Sequence, residues 1–282
     1  MRAKSFNGEK PLLYLIPSPI GNLDELSPRA LAVLKEADIV ASEDTRVTHK
    51  LLAFFNISKK LVSLREHNEV EQSHYLVNEI KNGKHVVYMS DAGYPCISDP
   101  GARLVKIALE NDINVSCLSG PNAALNALVS SGIDPTHFYF HGFLDAKESV
   151  RKEELRKLFN KEETLIFYES PHRIKKTLFN MYEIFGARKA CIARELTKIH
   201  EEFIRANLKE LTEIDPETLK GEMVVIVEGK NKELKPLIDN SEILNMVNSL
   251  TKTGLSTKDA IKKVSELTNV NKNYIYKIYH IN

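Results

Sequence analysis

The chain has 282 residues, 43% apolar and 27% charged, the balance of a soluble globular protein with room for about two domains. A net charge of +1 excludes a strong global field, so any site for a polyanion has to be a local patch. Cys96, Cys117 and Cys191 are odd in number and form no CxxC pair, which argues against a disulfide framework or structural zinc and for a reducing cytoplasm.

Met1 to Lys10 is polar and lacks the apolar centre of a signal peptide, and no segment is long and apolar enough to span a bilayer. Leu12 to Ile16 reads as the first strand. It ends in Pro17-Ser18-Pro19-Ile20-Gly21-Asn22, a stiff loop suited to lining a cleft with backbone. The loop is not the GxGxxG fingerprint, so NAD is disfavoured. Ser27-Pro28 starts a helix, cap followed by proline at the first helical position. Asp38 to Ser42 is a second strand running into Glu43-Asp44-Thr45-Arg46. That cluster reads equally as a substrate-side group and as a helix N-terminus with its acids set against the dipole. A helix over 46–55 and a short strand at 61–64 follow, then Arg65-Glu66-His67-Asn68, read as a solvated loop. A helix over 69–81 stops at Gly83.

The next stretch organises the rest. Lys84 to Met89 is a buried strand, and Ala102 to Leu109 has helical periodicity. Between them lies Ser90-Asp91-Ala92-Gly93-Tyr94-Pro95-Cys96-Ile97-Ser98-Asp99-Pro100-Gly101. This loop leaves the carboxyl end of a strand, where open α/β sheets place their ligands. Gly93 and Gly101 permit backbone conformations that other residues resist, and Pro95 and Pro100 stiffen the frame. Two Asp and two Ser within it make a shaped polar rim. A strand over 113–118 then enters Ser119-Gly120-Pro121-Asn122-Ala123-Ala124, where small residues let a ligand lie close to the backbone. A helix over 122–131 ends at Gly132. The repeated β-loop-α rhythm predicts a mainly parallel sheet.

After Asp134-Pro135 the pattern changes. Strand-like Phe138 to Leu144 precedes a charged helix over 147–160. Thr164 to Tyr168 is a strand ending in Glu169-Ser170-Pro171-His172-Arg173, and Ser170-Pro171 starts a helix that stops at Gly186. Lys189 to Ala193 is a strand ending in Arg194-Glu195-Leu196-Thr197-Lys198, and strands over 201–204 and 223–227 complete the set. The division expected is an N-terminal α/β domain over 1–137, a second α/β domain over 138–230, and a tail over 241–282 beyond a polar linker at 230–240. In the tail Ser256-Thr257-Lys258-Asp259 resembles a capping box with Asp in place of Glu. Ala260, Ile261, Val264 and Leu267 make one apolar face, and a turn at 268–271 leads to a last helix. That helix has Ile275 and Ile278 inward and Lys272, Tyr274, Tyr276 and Lys277 outward. Six lysines against three acids suit a helix-turn-helix on nucleic acid. A small bundle packed on the body or on a partner chain stays equally open.

Seven stretches taken together resemble one family: residues 13–23, 42–46, the central loop, 119–123, 167–173, 193–198 and 221–225. It is the tetrapyrrole (corrin/porphyrin) methylase superfamily, in the branch that methylates a cytidine 2′-oxygen of bacterial small-subunit ribosomal RNA. The likeness runs in order from about residue 11 to 229, and the tail looks like that branch's C-terminal extension. The resemblance implies two α/β domains with a cleft between them for S-adenosyl-L-methionine, a small helical extension, a homodimer, and 2′-O-methylation in the ribosome's decoding region. Carried over by position, it lines the cofactor pocket with Pro17, Ile20, Gly21, Asp91, Ala92, Gly93, Tyr94 and Ile97. Gly120, Pro121, Asn122 and Ala123 flank the nucleoside, and Phe167, Tyr168, Glu169, Ala193, Glu222 and Met223 close the second-domain side. The chain departs from the branch at Tyr94, where a small threonine is usual, and a narrower or reshaped pocket is expected there.

Methyl transfer from a sulfonium to a hydroxyl is an in-line displacement that needs positioning and a proton acceptor. The candidate acceptors at strand ends are Asp44, Asp99, Glu169 and His172, with Asp44 and Glu169 ranked first. Arg46, His172, Arg173 and Arg194 are the expected contacts to RNA, arginine's paired donors suiting phosphate. Two other readings stand beside this one: a methyltransferase acting on a small tetrapyrrole, and a non-enzymatic nucleic-acid-binding protein.

Overall fold

A computed structural model describes residues 12–230, 240–268, 270 and 272–281. The polar stretch over 1–10 and the linker at 231–239 lie outside the described residues. The β-loop-α rhythm of the first half becomes a five-stranded sheet, all of whose pairings are parallel. Its strands are β1 (Leu12–Ile16), β2 (Ile39–Ser42), β3 (Lys60–Ser63), β4 (Val86–Met89) and β5 (Asn114–Cys117), in the order β3-β2-β4-β1-β5. The helices between them are α1 (Pro28–Glu36), α2 (Thr45–Phe54), α3 (Glu69–Lys81) and α4 (Ala102–Glu110).

Successive strand residues point to opposite faces, and both faces are covered. Ile16, Val40, Val87 and Met89 pack with α1 and α2 residues such as Leu34 and Leu52. Leu13, Leu15, Ala41, Val86 and Tyr88 pack with Leu76, Ile80, Leu104 and Ala108 of α3 and α4. The order also fixes where a ligand can sit. β1 leads through α1 to β2 on one side, whereas its neighbour β4 leads through α4 to β5 on the other. Chain therefore leaves the carboxyl ends of two adjacent strands in opposite directions, which opens the crevice in which doubly wound sheets seat ligands.

The second sheet is mixed. Its strands are β6 (Phe138–Phe143), β7 (Thr164–Glu169), β8 (Lys189–Arg194), β9 (Glu202–Asn207) and β10 (Met223–Val227), ordered β6-β7-β10-β8-β9. Only β6 and β7 pair parallel. One face carries α6 (Glu148–Leu158), α7 (Ile174–Phe185) and the short α8 (Leu208–Thr212) over Leu165, Phe167, Ile192 and Val225. The other face is covered by the preceding helix α5 (Ala123–Ser130), whose Ala124, Ala127 and Leu128 pack on Ile166, Cys191, Val224 and Ile226. The residues after β5 thus enter the second sheet's packing before its first strand begins at Phe138. Among the described residues, those up to Gly229 form one compact unit and those from Lys230 a second.

Two departures from the sequence reading have local causes. α7 is regular from Ile174 rather than from Pro171: residues 171–173 form an irregular first turn in which the Ser170 carbonyl accepts the N–H groups of both Arg173 and Ile174, while the Ser170 N–H goes to the Glu169 carboxylate (2.8 Å). α8 has no apolar run to announce it; a reciprocal cap between Asn207 and Glu210 starts it. The second unit holds α9 (Asn240–Lys252), α10 (Thr257–Thr268) and α11 (Lys272–Ile281) around Ile243, Val247, Ala260, Ile261, Val264 and Ile275. Ser256 Oγ accepts the Asp259 N–H and donates to its carboxylate, so the shorter acid reaches its cap's hydroxyl. Leu267 is 54% exposed, contrary to its expected place on the apolar face, and Thr268 is buried instead. The turn positions 269 and 271 lie outside the described residues.

Candidate active site

The loops that follow β1 and β4 are locked to each other at the crevice. Ser18 and Gly93 exchange both backbone hydrogen bonds at 2.9 Å. Ser18 Oγ donates to the Ser90 carbonyl (2.6 Å), and Ser90 Oγ donates to the Gly93 carbonyl. The far end of the central loop is held just as firmly. Gly101 caps α4 with φ +119°, and the buried Glu69 carboxylate accepts the N–H groups of Gly101 (2.9 Å) and Arg103 (3.0 Å). An acid there satisfies donors that the helix leaves orphaned and complements its dipole. Tyr88, fully buried, donates its phenol proton to the Pro100 carbonyl (2.7 Å). Glu69→Ala strands two amides in a buried setting, at about 1–3 kcal/mol each. A loss of about 2–4 kcal/mol in urea unfolding is expected, with Glu69→Gln milder because its amide oxygen still accepts.

Between this frame and the edge of the second sheet lies a cavity of about 350 Å³, the size of small-molecule sites. Of the residues expected to bind cofactor, it is lined by Ile20, Ala92, Gly93, Tyr94, Ile97, Asn122, Ala123, Tyr168, Glu222 and Met223. The others frame it without lining it. Pro17 is buried against Gly120, and Gly21 lies against Thr197 and Lys198. Asp91 accepts the Asp44 N–H (3.1 Å), the Pro121 carbonyl approaches Gly93, and Phe167 and Ala193 are buried in the two cores of the second sheet. Tyr94, the expected departure, faces the cavity and uses its hydroxyl to accept the Gly120 N–H (3.1 Å). The bulky phenol therefore staples the β4 loop to the β5 loop.

The four groups weighed as proton acceptors separate on geometry. Asp44 is outside the cavity lining and caps α2. Its carboxylate accepts from the Arg46 backbone and guanidinium, which hold it well below the usual carboxylate range. Glu169 lines the cavity, but its side chain is 1% exposed and both oxygens are engaged, one by Ser170 N–H and Arg173, the other by the Thr177 hydroxyl (2.5 Å). His172 is exposed and outside the lining. Asp99 lines the cavity, and among the described residues no donor reaches its carboxylate. Burial, then the charges of Glu43 and Asp91, push its pKa up to about 6.

The expected RNA-contacting arginines are similarly committed. Arg46 pairs with Asp44. Arg173 donates to the carbonyls of Leu144 and Asp145 and lies 3.4 Å from Glu169. Arg194 pairs with Glu202 (2.5 Å). Lining residues without an expected role are Phe143, Ser98, Ser170, Pro171, Glu195, Leu196, Lys198 and Val224. Phe143 is 56% exposed and lies 5.4 Å from the Tyr168 ring, centroid to centroid. A signal for it existed in the sequence: Gly142, at φ +81°, marks the register shift in β6 that precedes it, and glycine inside a strand pattern flags such a bulge.

Comparison with known proteins agrees with this architecture. The family model for tetrapyrrole (corrin/porphyrin) methylases matches residues 12–212. The chain is 43% identical over 290 aligned positions to "Ribosomal RNA small subunit methyltransferase I" of Bacillus subtilis, covering 99% of this chain and 98% of that one. It is 44% identical to the protein of the same name in Halalkalibacterium halodurans, covering 96% of each. Among solved structures, a uroporphyrin-III-C-methyltransferase from Thermus thermophilus shares the fold with a TM-score of 0.56 at 19% identity, over 78% of this chain and 94% of that one. A diphthine synthase does so with a TM-score of 0.57 at 17% identity, over 77% and 89%.

Proposed function

Because the chain belongs to the tetrapyrrole (corrin/porphyrin) methylase family, we propose that it moves the methyl group of S-adenosyl-L-methionine onto the ribose 2′-hydroxyl of a cytidine in small-subunit ribosomal RNA, in the decoding region. The observation that carries the reading is the near full-length identity to proteins named as small-subunit ribosomal RNA methyltransferases. The cavity fits the cofactor in size and charge: among the described residues, Asp99, Glu169, Glu195 and Glu222 line it against a single ammonium, Lys198, and a cleft of one sign concentrates ligands of the other.

When bound, the cofactor supplies a methyl group activated on a sulfonium. Ile20, Ala92, Gly93, Tyr94 and Ile97 hold it from the first sheet, and Ala123, Tyr168, Glu222 and Met223 from the second. Asp99 replaces Asp44 and Glu169 in this reading as the proton acceptor, taking the hydroxyl proton on its unengaged carboxylate. Glu169 instead positions the strand-to-helix turn at Ser170. The two sheets serve as the two α/β domains, dividing near residue 137, and the active form is a cytoplasmic homodimer. Among the described residues, no helix is long and apolar enough to cross a membrane.

The test is transfer from deuterated-methyl cofactor to small subunits purified from cells lacking this activity, followed by nucleoside mass analysis. The expected product is 2′-O-methylcytidine carrying the label. Label on a base, label only on a porphyrinoid substrate, or no label would overturn the reading. The second unit is the proposed RNA-docking module, with Lys258, Lys262, Lys263, Lys272 and Lys277 exposed. Truncation after Asn240 should weaken RNA binding and flatten its salt dependence while leaving cofactor affinity intact; an unchanged salt slope in filter binding would contradict that role.

A further inference from the structure

The arginines expected to grip RNA are spent on carboxylates and carbonyls, yet a polyanionic substrate has to bring a phosphate to a cavity lined by four acids. We propose that Lys198 is the substrate-binding cation of the cavity, held in reserve by Glu195 and released to a backbone phosphate next to the target nucleotide. The inference rests on the RNA methyltransferase reading above and names the contact that reading lacks.

Among the described residues, Lys198 is the single Lys or Arg lining the cavity. Its ammonium is 2.9 Å from Glu195 Oε1, and the two side chains are 34% and 19% exposed. The pair is partly buried but its ammonium still reaches the open cavity, so an incoming phosphate can compete for it with a charge-assisted contact of its own. The loop that carries it is built for this position. Glu195 and Thr197 both adopt left-handed backbone, at φ +49° and +68°, a conformation that non-glycine residues keep only when their surroundings impose it. The Glu195 N–H donates to the Glu222 carbonyl, and the Thr197 N–H to Glu201 (2.7 Å). The Lys198 stem runs across Gly21, where any side chain would collide with it and with Thr197 Oγ1. That hydroxyl is itself buried and has no hydrogen-bond partner among the described residues. The glycine of the β1 loop thus leaves a track for the lysine to reach the cavity mouth. Lysine suits the task better than arginine would, being a compact, rotatable point charge.

The experiment compares wild type with Lys198→Met, which keeps the stem on Gly21 but removes the charge, Lys198→Arg, which restores charge, and Glu195→Gln, which frees the ammonium. Affinity for small subunits lacking the modification is measured across a salt series, and S-adenosylmethionine affinity by calorimetry. For Lys198→Met the expected results are RNA affinity about tenfold weaker, a salt slope shallower by about 0.7–1, and unchanged cofactor affinity. Lys198→Arg should recover most of the RNA affinity and the slope, and Glu195→Gln should bind RNA at least as tightly as wild type. If Lys198→Met loses cofactor affinity at an unchanged salt slope, the ammonium serves the cofactor and the proposal falls. It falls equally if neither affinity moves, or if Glu195→Gln weakens RNA binding as Lys198→Met does. Failure of the parent reading looks different: wild type itself would then leave no methyl on RNA, whatever the variants bind.

Discussion

Asp99→Asn is expected to slow methyl transfer by about a hundred- to ten-thousandfold, the range for removal of a positioned proton acceptor, with no comparable loss of cofactor affinity. The amide keeps the size and polarity of the carboxylate at the cavity wall but accepts no proton. The sign of the pH dependence follows from the raised pKa of about 6. Below that value Asp99 is protonated and cannot accept, so wild-type kcat/KM should fall about tenfold per unit as pH drops further. Above it the carboxylate is free and the profile should level off. The variant should lose this limb. Single-turnover transfer across pH reads both effects, and a variant within a few-fold of wild type, with the acid limb intact, would contradict the assignment. The same experiment on Asp44→Asn separates the two acids. Asp44 is held ionised by Arg46 and caps α2, so its loss should lower stability more than it changes the pH profile.

The second large effect is at Gly101. Its φ of +119° disfavours any side chain, and an added methyl would collide with the Tyr88 ring and come within 2.9 Å of Cys96 Sγ. Tyr88 cannot yield: it is fully buried and its hydroxyl is tied to Pro100. Backbone strain and overpacking together are worth about 2–4 kcal/mol, and relief has to come from the loop that carries Asp99. Gly101→Ala should therefore lower thermal stability by several degrees and weaken cofactor binding by more than about tenfold. Gly83→Ala is the matched comparison, since Gly83 has φ +85° but open space around it. It should cost about 1 kcal/mol and leave binding alone. Melting curves and calorimetry on both variants decide; equal effects at the two positions would contradict the special role of the Gly101 packing.

What the sequence made legible was backbone, and what it hid was partnership. Each strand of the first sheet announces itself as a short run followed by a polar or Gly/Pro loop, which points to ligand-lining loops at the strands' carboxyl ends, whereas the pairing of Ser18 with Gly93 is visible only in the fold. Family resemblance then supplied lists of positions without directions. Phe167 and Tyr168 were both expected at the pocket, but neighbours on a strand face opposite ways. Tyr168 lines the cavity while Phe167 fills the core beneath α6 and α7. The carboxylates and guanidiniums were harder still, because their availability depends on residues distant in the chain. Arg173 is taken by carbonyls at 144 and 145, and Glu169 by a hydroxyl eight residues on. Asp99 is half-buried at the cavity wall yet meets no hydrogen-bond donor among the described residues, which no local pattern records. Lys198 was hidden for another reason: it shares a motif with the more conspicuous Arg194, and it is the lysine that lines the cavity while Arg194 pairs with Glu202.

The cavity at the carboxyl ends of β1 and β4 is the proposed seat of the methyl donor. A crystal structure of the full chain with S-adenosylhomocysteine tests it most directly. The ligand is expected among Ile20, Gly93, Tyr168 and Met223, with the Asp99 carboxylate in the same cavity and unpaired by protein. A ligand bound elsewhere, or a cavity closed by its own side chains, would contradict it.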